Sequence, residues 1–320
     1  MTHTHTPVPA SPTTAGGDRD AAPGYGWIIV AALAATQTVG YGVLYYAYAV
    51  FLTSMAAALH TGTTVVAGAL TCSVLASAAA AVPVGRWLDR HGGRALMTGG
   101  SIAATLLVLA WSQLHSIVAL YLVWTGIGLA SACVLYEAAF AVVITWFRQH
   151  RARALLALTV VAGFASSIFL PLTGHLVDRY GWRAAILLLA AVHGMVTIPG
   201  HLLIRHPPPT TPTLHARAMD HDRRRVVATA VHDPGYWALA AAFLASAAAI
   251  AVLAVHLVAY LTELGHNPGF AATIAGLLGI LSVTGRLATT ATTRRLSPGT
   301  VTAIVFAIQG AAAACLPLIG

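Results

Sequence analysis

Two charged side chains stand apart in this sequence because each lies inside an apolar run, where charge is costly. Arg286 falls about sixteen residues into the run 270–292, and Glu137 is the only acidic residue within an apolar run of the first half. A guanidinium at that depth needs a cavity or a partner, and its planar fork suits a carboxylate, which it binds through two hydrogen bonds. The plain alternative is that Arg286 snorkels to the surface beside Arg294. Glu137 can carry a proton through a transport cycle, or it can form a structural ion pair with a loop arginine. Gln37, Tyr41 and Tyr45 share one helical face by their spacing and offer amide and phenol donors to a polar anion. Tyr48 continues that stripe and reads equally well as packing or as part of an interfacial aromatic belt. His193 and His256 lie inside two further runs and are candidates for a proton relay. For each, the bland alternative is an imidazole bonded to a neighbouring backbone carbonyl.

The elements that must position these groups follow from composition. Residues of the apolar set make up 58% of the 320 positions, only 8% are charged, and the mean hydropathy is +0.78. A soluble domain holds nearer 45–50% apolar and about 25% charged residues, so bilayer solvent is the simplest explanation. A crossing takes about 20 apolar residues. Nine runs qualify: roughly 27–52, 65–84, 95–113, 117–146, 154–177, 183–204, 236–261, 270–292 and 300–319. Backbone groups in lipid must be satisfied within the segment, which makes each run a helix. Residues 1–26 form a Thr/Pro/Gly/Ala-rich tail expected to be disordered, and 205–234 is a polar linker. That linker divides a six-helix bundle at 27–204 from three further helices at 235–320. No Cys/His spacing supports a metal site, no phosphate-loop motif supports ATP hydrolysis, and the basic residues lie between apolar runs rather than on a face for nucleic acid. The expectation is an all-α polytopic membrane protein with no enzymatic activity, no cofactor and no metal.

All 17 basic residues are arginine. With the N-terminus in the cytoplasm, fourteen fall on inner segments and only Arg179 and Arg183 fall outside, the asymmetry expected of a multi-pass protein of the cell (plasma or inner) membrane. Two loops share one pattern. Gly85, Asp89, Arg90, Gly92 and Arg94 recur 89 residues later as Gly174, Asp178, Arg179, Gly181 and Arg183. Three apolar runs separate the two loops, so they lie on opposite membrane faces, as in an inverted-topology repeat of three helices.

The first of these loops resembles the signature between spans two and three of the major facilitator superfamily, and the resemblance covers residues 26–320. Within it, "YEAAFAVVITWFRQHRARAL" (136–155) and "AGLLGILSVTGRL" (275–287) look most like the monocarboxylate and oxalate/formate branch. The resemblance implies helix bundles built from three-helix inverted repeats, alternating access, and an arginine of span eight, here Arg286, holding the substrate carboxylate. Some members carry an aspartate one turn earlier, where this chain has Ser282. It also implies that the loop around Asp89 acts as a conformational switch by meeting a helix N-terminus of the second bundle. The family has twelve spans, so nine imply a product lacking its last three. The expected function is secondary transport of a small organic anion, with proton coupling open. The alternatives are multidrug-type efflux, weakened by the missing Gly-Pro pair in 163–174, and a transport-inactive membrane fragment.

Overall fold

The computed structural model describes residues 23–205, 229–293 and 295–315. Most of the expected linker and most of the tail therefore lie outside the described residues. The first span is α1 (Pro23–Tyr41), a π-helical turn (Gly42–Tyr46) and α2 (Ala47–Ala58). Next come α3 (Thr63–His91) and α4 (Gly93–Trp111), spans two and three. Span four is α5 (Ile117–Val134) and α6 (Tyr136–Trp146). Helix α7 (Arg151–Ala162) and the first part of α8 (Ala165–Leu202) form span five, and the rest of α8 forms span six. The second half contributes α9 (Pro234–Glu263), α10 (Pro268–Thr292) and α11 (Pro298–Cys315), spans seven to nine.

Among the described residues, seven helical stretches are long and apolar enough to cross a membrane, and one of them, Arg151–Leu202, runs 52 residues. At 1.5 Å per residue that is about 78 Å, far more than one bilayer. It turns at Gly181, whose φ of 76° and ψ of 161° leave the helical region, so it crosses twice. Gly92 ends α3 with φ 74° and ψ 179°. The two glycines occupy the same place in the repeated loop pattern and adopt nearly the same backbone. Positive φ costs glycine little, which is why the pattern keeps it at both turns.

Helices α9, α10 and α11 start the same way. Asp233-Pro234, Asn267-Pro268 and Ser297-Pro298 put a capping side chain before a proline at the first helical position. Asp233 and Asn267 accept from the N–H two residues on, each at 2.8 Å, and Ser297 accepts from Thr300 N–H at 3.2 Å. The cap satisfies a free donor, and proline has none to leave unpaired.

Lipid tails are as apolar as leucine, so packing rather than hydrophobicity holds the bundle. Span four passes so close to span two that a Cβ on Gly128 would overlap the backbone of Ser73. An aromatic group, Tyr48, Trp111 and Trp124, joins spans one, three and four, with Tyr48 and Trp124 centroids 4.2 Å apart. The two halves meet where α10 lies along α8: Ala49, Leu170, Ala271 and Ala275 pack there, and Ser167 Oγ donates to the Gly276 carbonyl at 2.6 Å.

Candidate functional site

Three spans of the first half lose helical regularity around one place. Span one loosens into the π-helical turn at Gly42–Tyr46, over Phe169 of span five, whose ring occupies the space a Gly42 side chain would need. Span four breaks at Leu135, which is extended at φ −84° and ψ −163°. Span five breaks between Ala162 and Ala165. Interrupted helices inside a membrane persist where protein groups take over the freed backbone bonds. Here Gln37 Nε2 donates to the Val134 carbonyl, the last of α5, at 2.6 Å. The Arg286 guanidinium donates to the Thr159 carbonyl in the last turn of α7.

Arg286 is therefore half-buried and turned across the contact between the two halves, not towards the membrane surface. Its guanidinium also lies beside the phenol of Tyr136, the first residue of α6, and near Tyr46 of the π-turn. The Tyr136 ring packs on Tyr41 at 4.5 Å between centroids and stacks on Phe140 at 5.1 Å. Glu137, next in sequence, is the charged neighbour of Tyr41. It opens onto a cavity of about 240 Å³ between spans one, two and four, also lined by Tyr45, Ser73, Ser77 and Ser131. Among the described residues no arginine stands within ion-pair distance of Glu137, so the loop-pairing alternative finds no partner. Arg286 does not line that cavity; with the phenols of Tyr136 and Tyr46 near it, its guanidinium can hold an oxyanion through charge-assisted hydrogen bonds.

The structure thus brings together Arg286, Tyr41, Tyr45 and Glu137, and adds Tyr46 and Tyr136. Sequence spacing missed both additions: the extra residue in a π-turn rotates the rest of the helix, so a stripe at 41, 45 and 48 does not persist as one face. Tyr48 is fully buried, its hydroxyl donating to the Val66 carbonyl. Gln37 is fully buried too and serves the break at Leu135 rather than an open surface. Pro171 stays within α8, and the bend in span five falls earlier, at Gly163–Phe164.

His193 lies elsewhere, in the seam between spans three and six. Its Nδ1 shares a hydrogen bond with Thr105 Oγ1 at 2.9 Å, and two turns on, His201 Nδ1 pairs with Ser101 Oγ at 2.6 Å. Both imidazoles are buried, and among the described residues neither Nε2 has a hydrogen-bond partner. The side chain of His256, in α9, lies outside the described residues, as does Arg294.

The two patterned loops sit at opposite ends of the bundle. In the second, Arg183 donates to the Ser112 and Leu114 carbonyls at 2.7 and 2.8 Å, capping the end of span three. Arg179 lies over the Tyr180 ring, 5.7 Å from its centroid. Asp178 Oδ2 comes within 3.7 Å of where a Cβ on Gly269 would stand, in the first turn of α10, where a carboxylate is favoured by the helix dipole. In the first loop Gly85 has open space around it, while Asp89, Arg90 and Arg94 lie at the far ends of α3 and α4.

Comparison with known proteins agrees with this architecture. The sequence matches the Major Facilitator Superfamily over residues 32–320. It is similar to monocarboxylate transporter 13 of Rattus norvegicus, 31% identical over 283 residues that cover 83% of this chain and 60% of that protein. It is likewise similar to monocarboxylate transporter 11 of Mus musculus, 30% identical over 203 residues covering 62% and 42%. Among solved structures, it resembles a bacterial homologue of the human lysosomal transporter Spinster in an inward-facing, unoccupied conformation. The TM-score is 0.69 at 17% identity, covering 86% of this chain and 64% of that one, a likeness of fold. The chain spans about three fifths of the length of the monocarboxylate transporter 13 relatives it matches. It belongs to the major facilitator superfamily, a family of transporters rather than enzymes.

Proposed function

We propose that this member of the major facilitator superfamily serves secondary transport of a small organic anion, a carboxylate, held by Arg286 with Tyr136 and Tyr46. The observation that carries this is the guanidinium in the last third of α10, turned inward between the two halves beside three interrupted helices. Such a charge in a membrane interior is retained for binding or coupling, and Arg pairs with carboxylates through a fork geometry that Lys lacks. The likeness to relatives named monocarboxylate transporters supports the same substrate class.

In this proposal the halves rock about the Arg286 site. The Asp178 loop, docked against the first turn of α10, latches one end, and its repeat around Asp89 serves the other. The asymmetry of arginines supports a cytoplasmic N-terminus in the cell membrane. We assign proton coupling to His193, whose Nε2 lacks a hydrogen-bond partner among the described residues.

The test is equilibrium binding of butyrate to the purified chain in lipid nanodiscs, by calorimetry. Arg286→Gln removes hydrogen bonds from a charged donor, each of about 1.5–3 kcal/mol, so affinity should fall about 10- to 100-fold or more. Arg286→Lys keeps the charge and should recover part of it. Unchanged affinity in folded Arg286→Gln would take Arg286 out of the site.

A further inference from the structure

We infer that the site takes a zwitterion: a small molecule with a carboxylate at one end and an ammonium or amidinium group at the other. This rests on the carboxylate reading of Arg286 and adds a second recognition element, Glu137, to it.

Two opposite charges flank one pair of packed tyrosines. On one side Arg286 lies beside the Tyr136 phenol. On the other, Glu137 neighbours Tyr41, whose ring is 4.5 Å from that of Tyr136. The charges do not neutralise each other, since no ion pair closes on either side chain among the described residues. Their separation is maintained by construction. Arg286 is tied to the Thr159 carbonyl on the span-five side, whereas Glu137 points into the cavity between spans one, two and four. Glu137 sits in the first turn of α6, where the helix dipole favours a negative charge.

The surroundings of Glu137 are those of a cation pocket. Ser73, Ser77 and Ser131 line the same cavity and supply hydroxyl oxygens that accept from an ammonium group, and the face of Tyr45 adds a ring to it. A site for a simple monocarboxylate has no use for an acidic side chain here, because a second anion beside the substrate repels it. The cavity, about 240 Å³, is lined by Glu137 and not by Arg286, so it would receive the cationic end of the ligand.

The experiment compares two ligands of one carbon frame, butyrate and 4-aminobutyrate, on the chain in nanodiscs near neutral pH. The zwitterion should bind about tenfold tighter or better, the worth of one hydrogen-bonded charged contact. Glu137→Gln, nearly isosteric, should bring the two ligands to within about twofold, by removing the contact to the ammonium group and the repulsion that weakens butyrate. Arg286→Gln should weaken both. The wild-type comparison needs no variant, so misfolding cannot mask the answer. If butyrate binds through Arg286 as tightly as 4-aminobutyrate, or if Glu137→Gln leaves the gap intact, the zwitterion proposal fails while the anion site stands. If wild type binds neither ligand, both proposals fail.

Discussion

Gly163 gives a direct way to move Arg286 without changing its charge. The residue ends α7 at φ −61° and ψ −23°, a conformation alanine adopts freely. Yet a methyl there would stand 2.7 Å from Arg286 Nη1, 2.7 Å from Val283 Cγ2 and 3.1 Å from the Val160 carbonyl oxygen. Comfortable contacts are about 3.5–4.0 Å, so something must give by about 1 Å. Val283 is β-branched and stiff at χ1, and the Val160 carbonyl is part of α7, which leaves the guanidinium to swing away. It then gives up the Thr159 carbonyl and Tyr136. A 1 Å misplacement in a preorganised site costs of order 100-fold, and loss of one bond from a charged donor costs about 10- to 100-fold. Gly163→Ala should therefore weaken butyrate binding by about 10- to 100-fold. Stability should fall by no more than about 2.6 kcal/mol, because about 0.4–1 kcal/mol gained from a less flexible unfolded chain offsets part of an overpacking cost of about 1–3 kcal/mol. The control is Gly276→Ala on the same contact between halves, where the nearest atoms, Pro171 Cδ and Ser167 Cα, are at an ordinary 3.5 Å. Calorimetry in nanodiscs with a melting curve for each variant makes the measurement. Binding by Gly163→Ala within twofold of wild type, or an equal loss in Gly276→Ala, would refute the assigned geometry.

Other contacts can be tested in the same way. Tyr136→Phe removes the phenol beside Arg286, a donor to the bound carboxylate in the proposal, and should lower butyrate affinity about tenfold, the low end for a bond to a charged group, with an unchanged melting temperature. Arg183→Ala frees the Ser112 and Leu114 carbonyls and should destabilise the fold by about 2–4 kcal/mol, read by chemical unfolding in detergent, with Arg183→Lys recovering only part because one ammonium does not reproduce the two-pronged cap. Gly128→Ala forces spans two and four apart at Ser73 and should cost about 1–3 kcal/mol or more, whereas Gly85→Ala, with open space around it, should be neutral or gain up to about 1 kcal/mol from helix propensity. Equal effects at the two glycines in the same unfolding assay would contradict the helix contacts described.

The sequence alone determined the membrane class, the positions of the spans and the repeated loop. Each of these depends on a property that needs no folding to express: apolar length, charge placement, and a glycine that both turns require at positive φ. It also exposed Arg286 and Glu137, because a charge inside an apolar run is conspicuous without any neighbour. What only the tertiary structure decided is which side chains meet. The π-turn shifts the register of span one, so Tyr46 joins Arg286 while Tyr48 goes to the aromatic core. The break at Leu135 brings Tyr136 to the guanidinium and draws Gln37 away to a bare carbonyl. His193 pairs with Thr105, 88 residues off, in a separate seam. Helix irregularities arise from contacts between spans distant in sequence, such as Phe169 against Gly42, and local spacing carries no record of them.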